Sequence, residues 1–174
     1  GGLLVPPAPG AATWPWATLA GVTVYALTGP QRAAVRTKNG NYYVLVDADN
    51  PITWEGTMAS GQWIDEVRGI DALTARIRED QLALRLAQPN GKLPFTANGI
   101  DLVGAALKGS IKAFTTTPTT PRLLDSSPAP SIFTPAIEDV SAADRAARTL
   151  PGVTFSAKLS GAINAGEVTG TVYA

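Results

Sequence analysis

Residues 60–88 read SGQWIDEVRGIDALTARIREDQLALRLAQ, and the change of period inside this stretch decides the fold. Ile70, Leu73, Ile77 and Leu84 recur at steps of three, four and seven, which is one face of an α-helix. Arg76 and Asp80 stand four apart on the wet side of that helix, and the helix stops before Pro89-Asn90-Gly91. Beyond the stop, Thr96 is an N-cap for a second helix, in which Ile100, Val103, Leu107, Ile111 and Phe114 form one apolar stripe. Gly99, Gly104 and Gly109 weaken it by about 1 kcal/mol each if they lie in its interior. Lys108 and Lys112 sit near its C-terminal end, where the helix dipole favours cations.

On the N-terminal side the pattern changes to strands and turns. Residues 1–20 are rich in Pro, Gly and Ala, with Trp14 and Trp16 flanking Pro15, and read as an extended arm with two large apolar anchors. Pro30 opens a short helix that Asn39-Gly40-Asn41 ends. Tyr42 to Asp47 is an apolar strand, Asp47 to Pro51 a turn, and Ile52 to Met58 a second strand. On the C-terminal side, residues 115–136 hold five prolines among many Ser and Thr residues and read as a surface excursion or linker. Ser141 caps a short helix, with Asp144 at the capping-box distance, and Pro151-Gly152 ends it. A terminal hairpin follows. Val153, Phe155, Ala157 and Leu159 point one way in its first strand, and Val168, Val172 and Ala174 alternate with Thr169, Thr171 and Tyr173 in its second.

The expected fold is α+β: a small mixed sheet flanked by two longer amphipathic helices, with an extended N-terminal arm and a C-terminal β-hairpin. Its expected division is an arm over 1–20, a core over 21–114, a Pro/Thr/Ser-rich loop over 115–136, and a short helix with the hairpin over 137–174. A two-stranded hairpin is not stable alone. This one therefore has to add to another sheet, its own or a neighbour's.

Only 16% of the 174 residues are charged, against a usual value of about 25%, which suits a surface covered by assembly. Fourteen basic and fourteen acidic residues cancel, so nothing favours nucleic acid or an anionic membrane as a partner. No apolar run reaches the ~18 residues of a membrane span. The opening GGLLVPPAPG lacks the basic and apolar regions of a signal peptide. Histidine and cysteine are both absent, which removes the Ser-His-Asp and Cys-His triads and nearly every zinc arrangement.

The remaining candidates for chemistry each have a plainer reading. Asp47, Asp49 and Asn50 match a calcium loop only in part, because Pro51 and the following strand break the pattern, and they read as a turn. Asp65 and Glu66 are adjacent on a helix and do not converge on a substrate. Ser156 and Lys158 share a strand face, but that lysine would have to be buried to act as a base. Trp54 and Trp63 read as core, and Trp14 and Trp16 as interface anchors, since Trp is enriched at hot spots. No catalytic residue, cofactor or metal is expected.

Four stretches in order, PGAATWPWATLAGVT (9–23), GTMASGQWIDEVRGIDALTARI (56–77), KLPFTANGI (92–100) and DVSAADRAARTLPGVTFSAKLSGAI (139–163), resemble the C-terminal half of contractile tail sheath proteins of bacteriophages. The nearest variety is the sheath-like proteins of phages and prophages. Pro15 and Ala17 stand where that family carries basic residues in the arm, and Asn164 where it often carries His. The resemblance implies an N-terminal half outside this sequence.

It also implies a structural subunit of the virion tail, assembled in the bacterial cytoplasm, with a mechanical role and no reaction. Six-fold rings of such subunits stack helically around an inner tail tube, between a baseplate and a tail terminator, and collapse to drive the tube through the host envelope for genome ejection. Terminal arms join neighbouring subunits by adding strands to their sheets. By resemblance, the joining arms are Trp14, Trp16 and Leu19 at one end and Val168, Thr169, Thr171, Val172 and Tyr173 at the other. The expected tube contact is the short helix bearing Asp144, Arg145 and Arg148, because a releasable contact is polar. The competing reading is a receptor- or glycan-binding module of a tail that uses the arm tryptophans and the Pro-rich loop.

Overall fold

The computed structural model describes residues 9–47, 49–167 and 169. They fall into two compact units, one built on Thr13–Ile64 with residues from 161 onward, the other on Asp65–Ser160 with residues 9–12.

The first unit is a hairpin with a short helix. Helix α1 (Gly29–Thr37) has Pro30 in its first turn, and the Gln31 side chain accepts a hydrogen bond from the Thr28 N–H at 2.9 Å, which closes its N-terminus. Strands β1 (Tyr42–Leu45) and β2 (Pro51–Trp54) pair antiparallel, with Tyr43 opposite Thr53. In the turn between them, the Asp47 carboxylate accepts from the N–H groups of Asp49 and Asn50 at 3.0 and 2.9 Å and from the Asn50 side chain at 2.8 Å. Those bonds hold its pKa below the usual value and make it a turn brace. Arg36 ties α1 to the residue after β2 through Glu55, at 2.7 Å.

The second unit is a helical pair with a small sheet. Helix α2 (Ile64–Leu86) and helix α3 (Ala97–Ala113) stand where the apolar spacing put them, and Thr96 caps α3 by accepting the Gly99 N–H at 3.2 Å. The predicted stripe of α3 is its buried face: Ile100, Leu107 and Ile111 are buried and Val103 is half-buried. The polar pair on α2 is not simply solvated. Asp80 accepts from Arg76 at 2.8 Å and also from the hydroxyl of Ser110 on α3 at 2.7 Å, and Ser110 is completely buried. One carboxylate therefore satisfies a buried hydroxyl across the helix–helix contact.

Residues 115–136 correct the expectation of a surface excursion. Leu123 and Leu124 are each only 3% exposed and join Leu73, Leu107 and Ile111 in the core. Gly69 makes this possible on α2, since a Cβ there would lie 2.5 Å from the Leu123 side chain and 3.1 Å from the Gly10 backbone. Leu-Leu inside a Pro/Thr-rich stretch carries no periodicity, so only the tertiary context reveals its burial.

Strand pairing also differs from expectation. Strand β3 (Ser131–Phe133), from the Pro-rich stretch, pairs antiparallel with strand β4 (Thr154–Ser156). Farther along, Asp125 donates its N–H to the Lys158 carbonyl and Ser160 to the Leu123 carbonyl, both at 2.8 Å. The first strand of the expected terminal hairpin is thus completed by residues 123–133 of its own chain. Its expected second strand lies largely outside the described residues: Val168, Thr171, Val172 and Tyr173 are not described. The α+β fold with two long helices is as expected, and among the described residues its strands form two two-stranded antiparallel sheets, β1–β2 and β3–β4, rather than one mixed sheet. Helix α4 (Ala142–Ala146) starts as read, with Ser141 accepting the Asp144 N–H at 3.0 Å, but it ends at Ala146, short of Pro151-Gly152.

Candidate functional site

The arm is held against β2 by its backbone. The Trp16 N–H donates to the Thr53 carbonyl at 3.0 Å, and the Thr53 N–H donates to the Ala17 carbonyl at 2.9 Å. The Thr53 hydroxyl donates to the Trp14 carbonyl at 2.6 Å and accepts the Ala17 N–H at 3.1 Å. Thr53 is 4% exposed, so these partners satisfy a polar residue that is otherwise shut off from water. Leu19 follows, half-buried, its N–H donated to the Tyr43 hydroxyl at 3.1 Å.

Side chains lock the same contact. Pro15 is buried over Gly56, where an added Cβ would lie 2.3 Å from the proline Cδ. Gly56 has φ +78°, a conformation that favours glycine, and Glu55 before it has φ +79°. Trp16 has φ +71° and packs edge-on to Trp54, with centroids 4.8 Å apart and planes at 68°. A bulky residue at positive φ is uncommon, and the two Thr53 bonds around it hold the conformation.

Trp14, Trp16 and Leu19 are thus brought together on one hairpin, the tryptophans at Thr53 of β2 and Leu19 at Tyr43 of β1. The reading of residues missed the receiving groups Thr53, Tyr43 and Gly56. The Trp-Glu-Gly run at the end of β2 was the available sign, since Gly after a strand marks a close approach.

Because the Thr53 backbone turns toward the arm, Tyr43 and Thr53 form a non-hydrogen-bonded pair. The backbone groups of Tyr43 then face the outer edge of β1, and so, two residues on, do those of Leu45. Among the described residues no strand pairs with that edge. Leu45 and Val46 are 44% and 57% exposed there.

The other expected positions lie apart from this site in the sequence. Asp144 accepts the Ser141 hydroxyl at 2.6 Å, and Arg145 and Arg148 are exposed. Thr169 is exposed. Lys158 is not a buried base, for it pairs with Asp125 at 3.1 Å with its side chain 63% exposed. Trp54 is half-buried, but Trp63, expected in the core, is 38% exposed beside Thr57. No helix among the described residues is long and apolar enough to cross a membrane.

Comparison with known proteins finds a likeness of fold. The helical sheath of the anti-feeding prophage, solved in its contracted state, matches with a TM-score of 0.57 at 12% identity. The match covers 94% of this chain and 45% of the sheath chain, so this chain spans less than half the length of that one. No protein family profile and no curated protein matches the sequence.

Proposed function

We propose that this chain is a structural subunit of a contractile tail sheath, one that polymerises around an inner tube and contracts to drive the tube through the host envelope. The observation that carries the reading is the fold likeness to a contractile sheath over nearly the whole chain. Two features support it. The surface is short of charge and exposes large apolar side chains, among them Tyr25, Leu86, Phe133 and Ile163, as suits a surface made for neighbours. The outer edge of β1 offers the backbone groups of Tyr43 and Leu45 to an added strand.

In this reading Val168, Thr169, Thr171, Val172 and Tyr173 of one subunit add to the β1 edge of another, while the arm bearing Trp14, Trp16 and Leu19, its backbone taken up by the hairpin of its own chain, meets the opposite neighbour through exposed side chains such as Trp16. Asp144, Arg145 and Arg148 on α4 face the tube protein. The subunits form stacked six-fold rings in the tail of a virion, and the chain catalyses nothing. Trp16 stands edge-on to Trp54, so that pair offers a sugar no coplanar stacking platform.

The test is removal of residues 168–174, with assembly followed by negative-stain electron microscopy and folding by circular dichroism. The helices are expected to remain and the polymers to disappear. A truncated chain that assembles as the full chain does would overturn strand donation from this end.

A further inference from the structure

The sheath reading leaves unused a groove on the second unit. It runs between α3 and β3, encloses about 490 Å³, and is floored by Gly104, Ile111, Pro130 and Ile132. That volume is in the range of a recognition pocket rather than a packing defect. Gly104 lets Thr134 pack close against the helix at one end of it, because a Cβ there would meet the Thr134 methyl at 2.8 Å.

Lys108 and Lys112 line this groove one helical turn apart, both exposed. Among the described residues neither has an ion-pair partner. Asp101, two turns before Lys108, is the one carboxylate that lines the groove, so the end toward the C-terminus of α3 is doubly positive over an apolar floor. An occupant that fits has two neighbouring carboxylates beside an apolar side chain.

This chain carries such a segment. Three pairs of adjacent acids occur in it, 65–66, 79–80 and 138–139. Asp65 and Glu66 are half-buried, and burial raises the pKa of Asp65. Asp80 is committed to Arg76 and Ser110. Glu138 and Asp139 are both exposed, stand without an ion-pair partner among the described residues, and follow Ile137 in a 3-10 turn.

We infer that the α3–β3 groove receives the Ile137–Asp139 turn of a second copy of this chain, with Glu138 and Asp139 against Lys108 and Lys112. Each copy carries both the groove and the turn, so the contact propagates into rings or helical polymers when it runs head-to-tail and closes a two-fold dimer when the two copies exchange it reciprocally. It rests on the sheath reading only in that both require self-association. Being a rim of exposed charges, it is screened by salt, and association is expected to weaken steeply up to about 0.5 M ionic strength.

The experiment is charge reversal in the full chain, read by sedimentation velocity. Lys108→Glu with Lys112→Glu is expected to lower association about tenfold or more, as is Glu138→Lys with Asp139→Lys. An equimolar mixture of the two variants is expected to restore assembly, since each groove then meets an oppositely charged turn. Lys38→Glu with Lys92→Glu, outside the groove, makes the same change in net charge and is expected to leave association unchanged.

The inference is overturned if reversal at the groove has no effect, if the mixture fails to recover, or if the control pair weakens assembly equally. Polymers that ignore groove reversal but vanish on removal of residues 168–174 would sink this contact and leave the sheath reading standing. A chain that stays monomeric at every concentration would sink both.

Discussion

Gly56→Ala is expected to unseat the N-terminal arm from β2. The backbone there has φ +78°, and holding alanine in that region costs about 1–2 kcal/mol. The new methyl would also lie 2.3 Å from Pro15 Cδ and 2.7 Å from Cγ, so Pro15 must move by about 1 Å to reach ordinary contact. Pro15 sits between Trp14 and Trp16, whose backbones hold Thr53 through bonds of 2.6 and 3.0 Å. Losing both costs about 1 kcal/mol each, and the buried Thr53 is left short of partners. The total is roughly 3–4 kcal/mol, which lowers the melting temperature of the first unit by about 12–30 °C. Tryptophan fluorescence during heating reads the stability, and amide hydrogen exchange at Trp16, Ala17 and Thr53 reads the arm. Gly109→Ala is the control, because nothing lies within 4 Å of a Cβ there. That change, inside α3, is expected to stabilise by about 0.5–1 kcal/mol. If Gly56→Ala keeps full amide protection at these three residues and melts within about 1 °C of the parent, the arm is not held as described here.

Two further outcomes test the second unit. Leu124→Ala is expected to cost about 2–5 kcal/mol in denaturant unfolding, as for a core leucine; a cost under about 0.5 kcal/mol would return residues 115–136 to the surface. Ser110→Ala removes a bond to a charged acceptor and is expected to cost about 1.5–3 kcal/mol. Its pH dependence is the sharper reading. Arg76 and Ser110 hold the Asp80 pKa below its ordinary 3.8, so the carboxylate binds protons more readily in the unfolded chain. Its stabilisation is then complete above the ordinary carboxylate range and lost as the pH falls through the depressed value. Ser110→Ala is expected to flatten that acid limb, and an unchanged limb would refute the Ser110–Asp80 link.

The parts legible in the sequence are those whose stabilising contacts are local. Helices α2 and α3 announce themselves because a buried face imposes its period on the residues that form it, and Thr96 and Ser141 because a cap is a short-range bond. Strand partners are not local. Thr154–Ser156 alternates well enough to be read as a strand, but nothing in its own residues says that Ser131–Phe133 lies beside it. The burial of Leu123 depends on Gly69, more than fifty residues away and in another element. The same limit explains the arm. Trp14 and Trp16 stand out by size, whereas Thr53, which binds them, is an ordinary strand threonine until the arm lies on it. The groups that receive a segment are the least conspicuous in sequence, since a receiving strand needs only free backbone and a glycine. For that reason the outer edge of β1 and the lysine-rimmed groove on α3, neither marked by a motif, are where mutation tests most directly the contacts proposed between copies of this chain.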